Sequence, residues 1–293
     1  MSTREAAAAL TVTGPRPLAG SPPYRRVEHI MGTAISLDVR EGALDVRDVD
    51  AAFAYLREVD ARFSTYRPDS EISRLGRGEL CEADCSADVR LVLAVCDDLF
   101  RTSDGYFDAR GYRPGQGPDP TGLVKGWAVE EAGWMLQEAG ATRFSIDAGG
   151  DVLVRGGIAP GVPWRVGIRH PALADRLAAV LVLADGAVAT SGVYERGEHI
   201  VDPRTGRPPR GLVSVSVVGP SLTYADAYAT TAFAMGIDGL AWVALNPGYG
   251  AYGITDDGRV LLTPEIEQWL ERVPEGPREA ASADSDDTGL FQD

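Results

Sequence analysis

FSIDAGGDVLVRG, Phe144–Gly156, reads as two short strands, Arg143–Ile146 and Val152–Val154, on either side of the glycine pair Gly149 and Gly150. Paired glycines between strands allow a bulge or a close backbone approach to a ligand, and a strand pair without a ligand explains them equally well. Before this stretch, Leu123–Ala139 has the composition of a helix closed by Gly140. After it come strands at Trp164–Arg169 and Ala178–Ala184, a glycine-rich loop, a strand at Val213–Val218 and a helix from about Tyr224 to Met235. Further upstream, TAISLDV (Thr33–Val39) alternates like a strand, and Val49–Phe63 places Phe53, Leu56 and Val59–Phe63 along one helical side. Ala87–Arg101 is a further helix, with Ser86 as its cap. A hairpin around Asp256, Asp257 and Gly258 and a terminal helix near Pro264–Arg272 end the body. Helices and strands alternate, but without the regular spacing of a doubly wound parallel sheet. The expected fold class is therefore α+β: a single mixed-sheet domain with flanking helices, whose long polar loops carry the site.

The length, 293 residues, suits one large domain or two intimate ones. Residues 1–23, rich in Ala, Pro and Gly, read as a disordered arm, 24–273 as the folded domain and 274–293 as a disordered acidic tail. The formal charge of −15 argues against non-specific nucleic-acid binding and against an anionic membrane surface. An anionic ligand then needs a local positive device or a divalent metal. Cys81, Cys85 and Cys96 are odd in number and have no nearby histidine, so neither a zinc site nor a disulfide framework is expected. The longest apolar run, Leu177–Ala184, is too short to span a bilayer, and the N-terminal arm has no hydrophobic signal core. A cytoplasmic protein is expected. Of the 28 basic residues, 27 are arginine and one, Lys125, is lysine. A lone lysine in such a background is either a chance survivor or a position where a guanidinium does not serve.

Five stretches have the residue types that chemistry uses, and each also has a plain structural reading. ADAYAT (Ala225–Thr230) puts Asp226 and Thr230 four apart on one helical face, where hard oxygens suit Mg²⁺. Equally, an acid in a first helical turn favours the macrodipole, and a threonine bonds back to a carbonyl. DPTGLVKGWAVEEA (Asp119–Ala132) sets a glycine turn before a helix and adds the Lys125 ammonium, a weak generic phosphate signal that does not match a Walker loop. SGVYERGEHIVDPRTGRP (Ser191–Pro208) holds His199, one of three histidines, in a polar loop where it can serve as a base or simply be solvated. In FSTYRPDSEISRL (Phe63–Leu75), Tyr66 is placed to stack on a planar ring or to bury a face in the core, and Ser70 with Glu71 marks a helix start. The glycine pair of the opening stretch is the fifth.

Taken in order, MGT at Met31–Thr33, FSTYRPDSEIS, DGYFDA, TGLVKGWAVE, DAGGDV, VATSGVYER, HIVDPRTGRP and ADAYATTAF closely resemble the motif set of the FAD:protein FMN transferases, once labelled thiamine-biosynthesis lipoproteins. The resemblance runs from Met31 to Gly236. It implies a flavin-transferase-like fold, FAD as substrate, Mg²⁺, and transfer of FMN to a Thr or Ser hydroxyl of an acceptor flavoprotein with release of AMP.

Carried over residue by residue, it implies that Met31, Tyr66, Tyr106, Phe107, Asp108, Asp119, Lys125 and Ile200 contact the flavin nucleotide. Asp226 and Thr230 are the implied side-chain metal ligands, with Gly122 and Ala229 contributing through the backbone. His199 is the implied base. Against the family pattern, the segment ARGYRPGQGP (Ala109–Pro118) is compressed, which bears on acceptor recognition. Mg²⁺-dependent FAD hydrolysis to FMN and AMP, and a flavin carrier without transfer, are the alternatives. A cytoplasmic acceptor carrying a Ser/Thr flavinylation motif is the expected partner, with no nucleic acid and no membrane insertion.

Overall fold

The structure is a computed structural model, and it describes residues 23–111, 117–173, 175–193 and 200–271. Most of the expected arm, the whole of the expected tail and His199 lie outside the described residues.

Eight strands form the main sheet. Along its edge-to-edge order these are β1 (Tyr24–Ile30), β2 (Thr33–Gly42), β3 (Ala141–Ala148), β4 (Asp151–Arg155), β7 (Gly186–Gly192), β8 (Leu212–Gly219), β9 (Gly250–Thr255) and β10 (Val260–Leu262). Each neighbouring pair is antiparallel. The separate hairpin β5 (Trp164–Arg169) and β6 (Leu177–Leu183) is inserted between β4 and β7.

The helices are α1 (Val46–Phe63), α2 (Glu71–Gly76), α3 (Ala87–Thr102), α4 (Thr121–Glu138), α5 (Leu222–Met235) and α6 (Asp238–Ala244). Two apolar clusters follow from this arrangement. The larger joins α1, α3, α4 and α5 to the sheet through residues such as Phe53, Leu93, Leu123, Phe144 and Val215. The smaller packs the β5–β6 hairpin, with Trp164 and Ile168, against Val152, Val188 and Ile254. The α+β expectation holds.

The elements form for local reasons. Asp45 caps α1 by accepting from Arg47, and Asp48 reciprocates on the Asp45 amide, a capping box. Ser86 caps α3 and Ser70 caps α2 as expected. Helices α4 and α5 differ from α1 in being apolar nearly all round, with buried residues on every side. Helices of that kind lie inside a protein rather than on it. They pack on each other and on the sheet, and the site lies along their contact.

Three elements depart from the sequence expectation. The glycine-rich loop after β6 contains a fully buried strand, β7, of small residues (GAVATSG), which lack the bulky β-formers that announce a strand. The polar, largely exposed edge strand β1 has no apolar alternation to reveal it. The expected terminal helix is a 3₁₀ turn, Pro264–Gln268, because Trp269 leaves the helix to pair its carbonyl with Val182.

Candidate active site

The charged centre of the molecule depends on a missing side chain. A Cβ on Gly126 of α4 would lie 2.5 Å from the Leu222 carbonyl oxygen and 2.8 Å from Asp226 Cβ on α5. With glycine there, the helices approach closely enough for the Gly126 amide to donate to Asp226 Oδ2 at 3.0 Å. In a regular helix that amide serves the carbonyl four residues back, which belongs to Gly122. The Asp226 carboxylate therefore competes with the Gly122 carbonyl for one proton.

Gly122 sits beside Thr230 in the same seam: a Cβ on it would stand 3.4 Å from Thr230 Oγ1 and 3.3 Å from the Phe107 ring. Helix α5 starts at Leu222, two residues earlier than the sequence pattern indicated, so Asp226 falls in the second turn. The macrodipole reading, which needs the first turn, does not account for its position. Asp226 and Thr230 supply side-chain oxygens, and Gly122 a carbonyl, of the hard kind that suits a divalent cation. Ala229 is fully buried on α5 and offers only its backbone. Among the described residues no three His, Cys, Asp or Glu side chains group as metal ligands.

Lys125, next to Gly126, reaches from α4 toward two carboxylates. Its ammonium is ion-paired with Asp151 at the start of β4, and lies 3.9 Å from Asp226 Oδ1. Asp151 is held from the sheet side, where its Oδ1 accepts from the Thr190 amide at 3.1 Å and the Thr190 hydroxyl meets that of Ser216 at 2.7 Å.

Asp151 and Asp147 flank the opening glycine pair, which makes the two-residue turn joining β3 to β4 with φ of +66° and +105°. A Cβ on Gly149 would collide with Thr33 Oγ1 at 2.2 Å, so the close approach is to the chain's own MGT turn. Burial pushes the Asp147 carboxyl up to about 6; the Gly150 amide opposes this, neighbouring Asp151 adds to it, and Lys125 opposes it.

A further buried acid registers the two helices. Glu130 of α4 accepts from the Ser221 hydroxyl (2.6 Å), the Thr223 amide (3.0 Å) and the Thr223 hydroxyl (2.5 Å) at the first turn of α5. Because Ser221 is also the N-cap of α5, Glu130 fixes where that helix begins and hence how far along it Asp226 and Thr230 fall.

The other expected residues are distributed over the surrounding turns. Met31 occupies the β1–β2 turn with φ of +56°, a left-handed conformation that costs a non-glycine residue energy, and it rests on the main core. Ile200 is half-buried on the same core, and Phe107 belongs to it. Tyr106 lies under the Arg204 guanidinium, 4.2 Å from its ring centroid, and Arg204 also donates to the Asp104 carbonyl at 2.5 Å. The DPRTG turn is thereby tied to the DGYFDA turn. Tyr66 is 93 % exposed ahead of α2.

Two expected nucleotide contacts are engaged locally. Asp119 Oδ1 accepts from the Thr121 amide and hydroxyl where α4 opens, and Asp108 Oδ1 accepts from the Arg110 and Gly111 amides. Sequence reasoning did not single out Asp147, Asp151, Glu130 or Arg204. All four stood inside quoted motifs; for the first three, acids at both ends of a glycine pair and an acid five residues past the lysine were the available signal.

The fold of this antiparallel α+β domain matches that of solved flavin transferases. The fold superposes on "Flavin Transferase ApbE from Vibrio cholerae" with a TM-score of 0.73 at 25 % identity, covering 85 % of this chain and 100 % of that one. It also matches the fold of the Thermotoga maritima ApbE protein, with a TM-score of 0.75 at 23 % identity, covering 86 % and 100 %.

Among curated proteins, it is 38 % identical over 176 residues to the FAD:protein FMN transferase of Rhodobacter capsulatus, covering 57 % of this chain and 34 % of that one. It is 26 % identical over 286 residues to the same-named protein of Haemophilus influenzae, covering 76 % and 83 %. Matches to the Rhodobacter capsulatus and Escherichia coli relatives span only 34 % and 47 % of those proteins. The sequence model of the ApbE family matches residues 31–113 and 112–252, and the chain belongs to the ApbE family.

Proposed function

We propose that the chain is a Mg²⁺-dependent FAD:protein FMN transferase, moving the FMN half of FAD onto a Ser or Thr hydroxyl of an acceptor flavoprotein and releasing AMP. The observation that carries this reading is the Gly126–Asp226 hydrogen bond, which sets a buried carboxylate beside Lys125 in the α4–α5 seam. The names of the relatives support it.

In this reading Asp226, Thr230 and the Gly122 carbonyl hold Mg²⁺, with Ala229 offering only backbone. Bound there, the ion supplies charge neutralisation on the pyrophosphate oxygens. Lys125 places a second positive charge at the same oxygens, which a chain of net charge −15 otherwise repels. Met31, Tyr66, Tyr106, Phe107, Asp108, Asp119 and Ile200 hold the nucleotide around this point. The acceptor hydroxyl is a weak nucleophile until a base takes its proton, and that base is His199. The hydroxyl oxygen then bonds to the FMN phosphorus, the bond from that phosphorus to the bridging oxygen breaks, and AMP departs with the electron pair.

We assign this activity to a domain over 24–273 and expect a cytoplasmic acceptor. No helix among the described residues is long and apolar enough to cross a membrane. One reaction tests the reading: incubate the protein with FAD, Mg²⁺ and a peptide bearing a Ser/Thr flavinylation motif, then follow peptide mass and AMP. Equal amounts of FMN adduct and AMP are expected. Steady AMP without adduct for any acceptor means hydrolysis, and bound FAD with neither product means a carrier.

A further inference from the structure

The Lys125 ammonium faces two carboxylates that are fixed in the same way. Asp151 has Oδ1 held by the Thr190 amide at 3.1 Å, and Asp226 has Oδ2 held by the Gly126 amide at 3.0 Å. Each turns its other oxygen toward Lys125, and the ammonium sits on Asp151, 3.9 Å from Asp226 Oδ1. The two carboxylate side chains are 1 % and 7 % exposed, so both are largely removed from solvent and neither turns freely. Charge interactions are stronger there than at a surface, and they grow as the separation shrinks.

An ammonium resting directly on Asp226 would cancel the charge that a divalent cation needs. Asp151, one strand away and anchored to β7, supplies a competing position for it. We propose that Asp151 is a positioning residue: it draws the Lys125 ammonium off Asp226 and thereby sets the affinity of Asp226 for a divalent cation before any nucleotide arrives. This rests on the reading of Asp226 as a cation ligand. It also explains why the position holds lysine in a chain otherwise using arginine. A compact charge can be shared between two anchored carboxylates, whereas a guanidinium fork would bridge both.

The test measures Mn²⁺ binding to the full, nucleotide-free chain by the loss of the free-ion electron paramagnetic resonance signal. Asp151→Asn keeps an oxygen for the Thr190 amide but loses the charge. It is expected to bind Mn²⁺ about tenfold more weakly than the wild type, while the double variant Asp151→Asn/Lys125→Met returns to wild-type affinity or above. A loss of packing alone would not be repaired by removing the lysine.

Asp226→Asn is expected to abolish the site. If it does so while Asp151→Asn binds as the wild type, the positioning role is overturned and the ligand role of Asp226 stands. If Asp226→Asn binds Mn²⁺ normally, the ligand reading itself falls. Should Asp151→Asn fail to fold, Lys125→Met alone decides: tighter Mn²⁺ binding supports the inference and unchanged binding overturns it.

Discussion

The amide of Gly126 and the carboxylate of Asp226 lie 100 positions apart in the chain and meet at 3.0 Å between two buried helices. This contact orients the acid, draws on the amide that would otherwise close the helix on Gly122, and requires a residue without a side chain. The proposed chemistry therefore depends on packing at one glycine as much as on the charged groups.

Gly126→Ala should accordingly be costly. The new methyl would sit within 2.8 Å of both Asp226 Cβ and the Leu222 carbonyl oxygen, so the helices must separate. Overpacking of this kind costs about 1–3 kcal/mol. Urea unfolding should show that loss together with weaker divalent-cation binding; an unchanged midpoint would mean that the helices are not locked by this contact.

Glu130→Ala should leave three donors of the α5 first turn facing a cavity. Unsatisfied buried groups cost about 1–3 kcal/mol each, though not additively, so a loss of about 3 kcal/mol is expected. Glu130→Gln keeps one acceptor oxygen and should lose less than half as much. Equal losses for the two variants in chemical denaturation would show that side-chain volume, not acceptance of hydrogen bonds, sets the cost.

Asp147 gives the fold a pH dependence of definite sign. Its carboxyl is raised from 3.8 to about 6 by burial, so its contribution to stability is complete below about pH 3.8 and is lost as pH rises through 6. The difference corresponds to about 3 kcal/mol at neutral pH. Asp147→Asn, which retains an oxygen for the Gly150 amide, should gain on the wild type between pH 4 and pH 7. A stability difference that stays flat over that range would contradict the assignment.

Lys125→Arg preserves charge and should still not be silent. The guanidinium is broader than the ammonium and would fork across Asp151 and Asp226, leaving less positive charge directed at a nucleotide. FAD affinity, followed by flavin fluorescence, is expected to fall by about tenfold. Unaltered affinity and transfer rate would mean that the single lysine is an accident of composition.

The site was legible in the sequence to the extent that chemistry is local. The Asp226/Thr230 pair, the Lys125 turn and the acids beside Gly149 and Gly150 all lie in short quoted motifs. Their convergence was not legible from spacing alone, because it depends on the absence of a side chain at Gly126 and on a sheet that sets β4 beside β7. The strand β7 escaped notice for a related reason: its small residues show no strand pattern, yet they are what fits beneath the buried helices. Arg204 read as part of an ordinary turn, and its place over Tyr106 depends on a loop about a hundred residues earlier.

The most direct test titrates Mg²⁺ against acceptor flavinylation in the wild type and in Asp226→Asn, with AMP measured in the same samples. The account predicts one FMN adduct per AMP in the wild type at every Mg²⁺ concentration, and a curve displaced at least about tenfold toward higher Mg²⁺ in the variant. Superimposable titrations for the two proteins, or AMP formed in excess of adduct throughout, would contradict it.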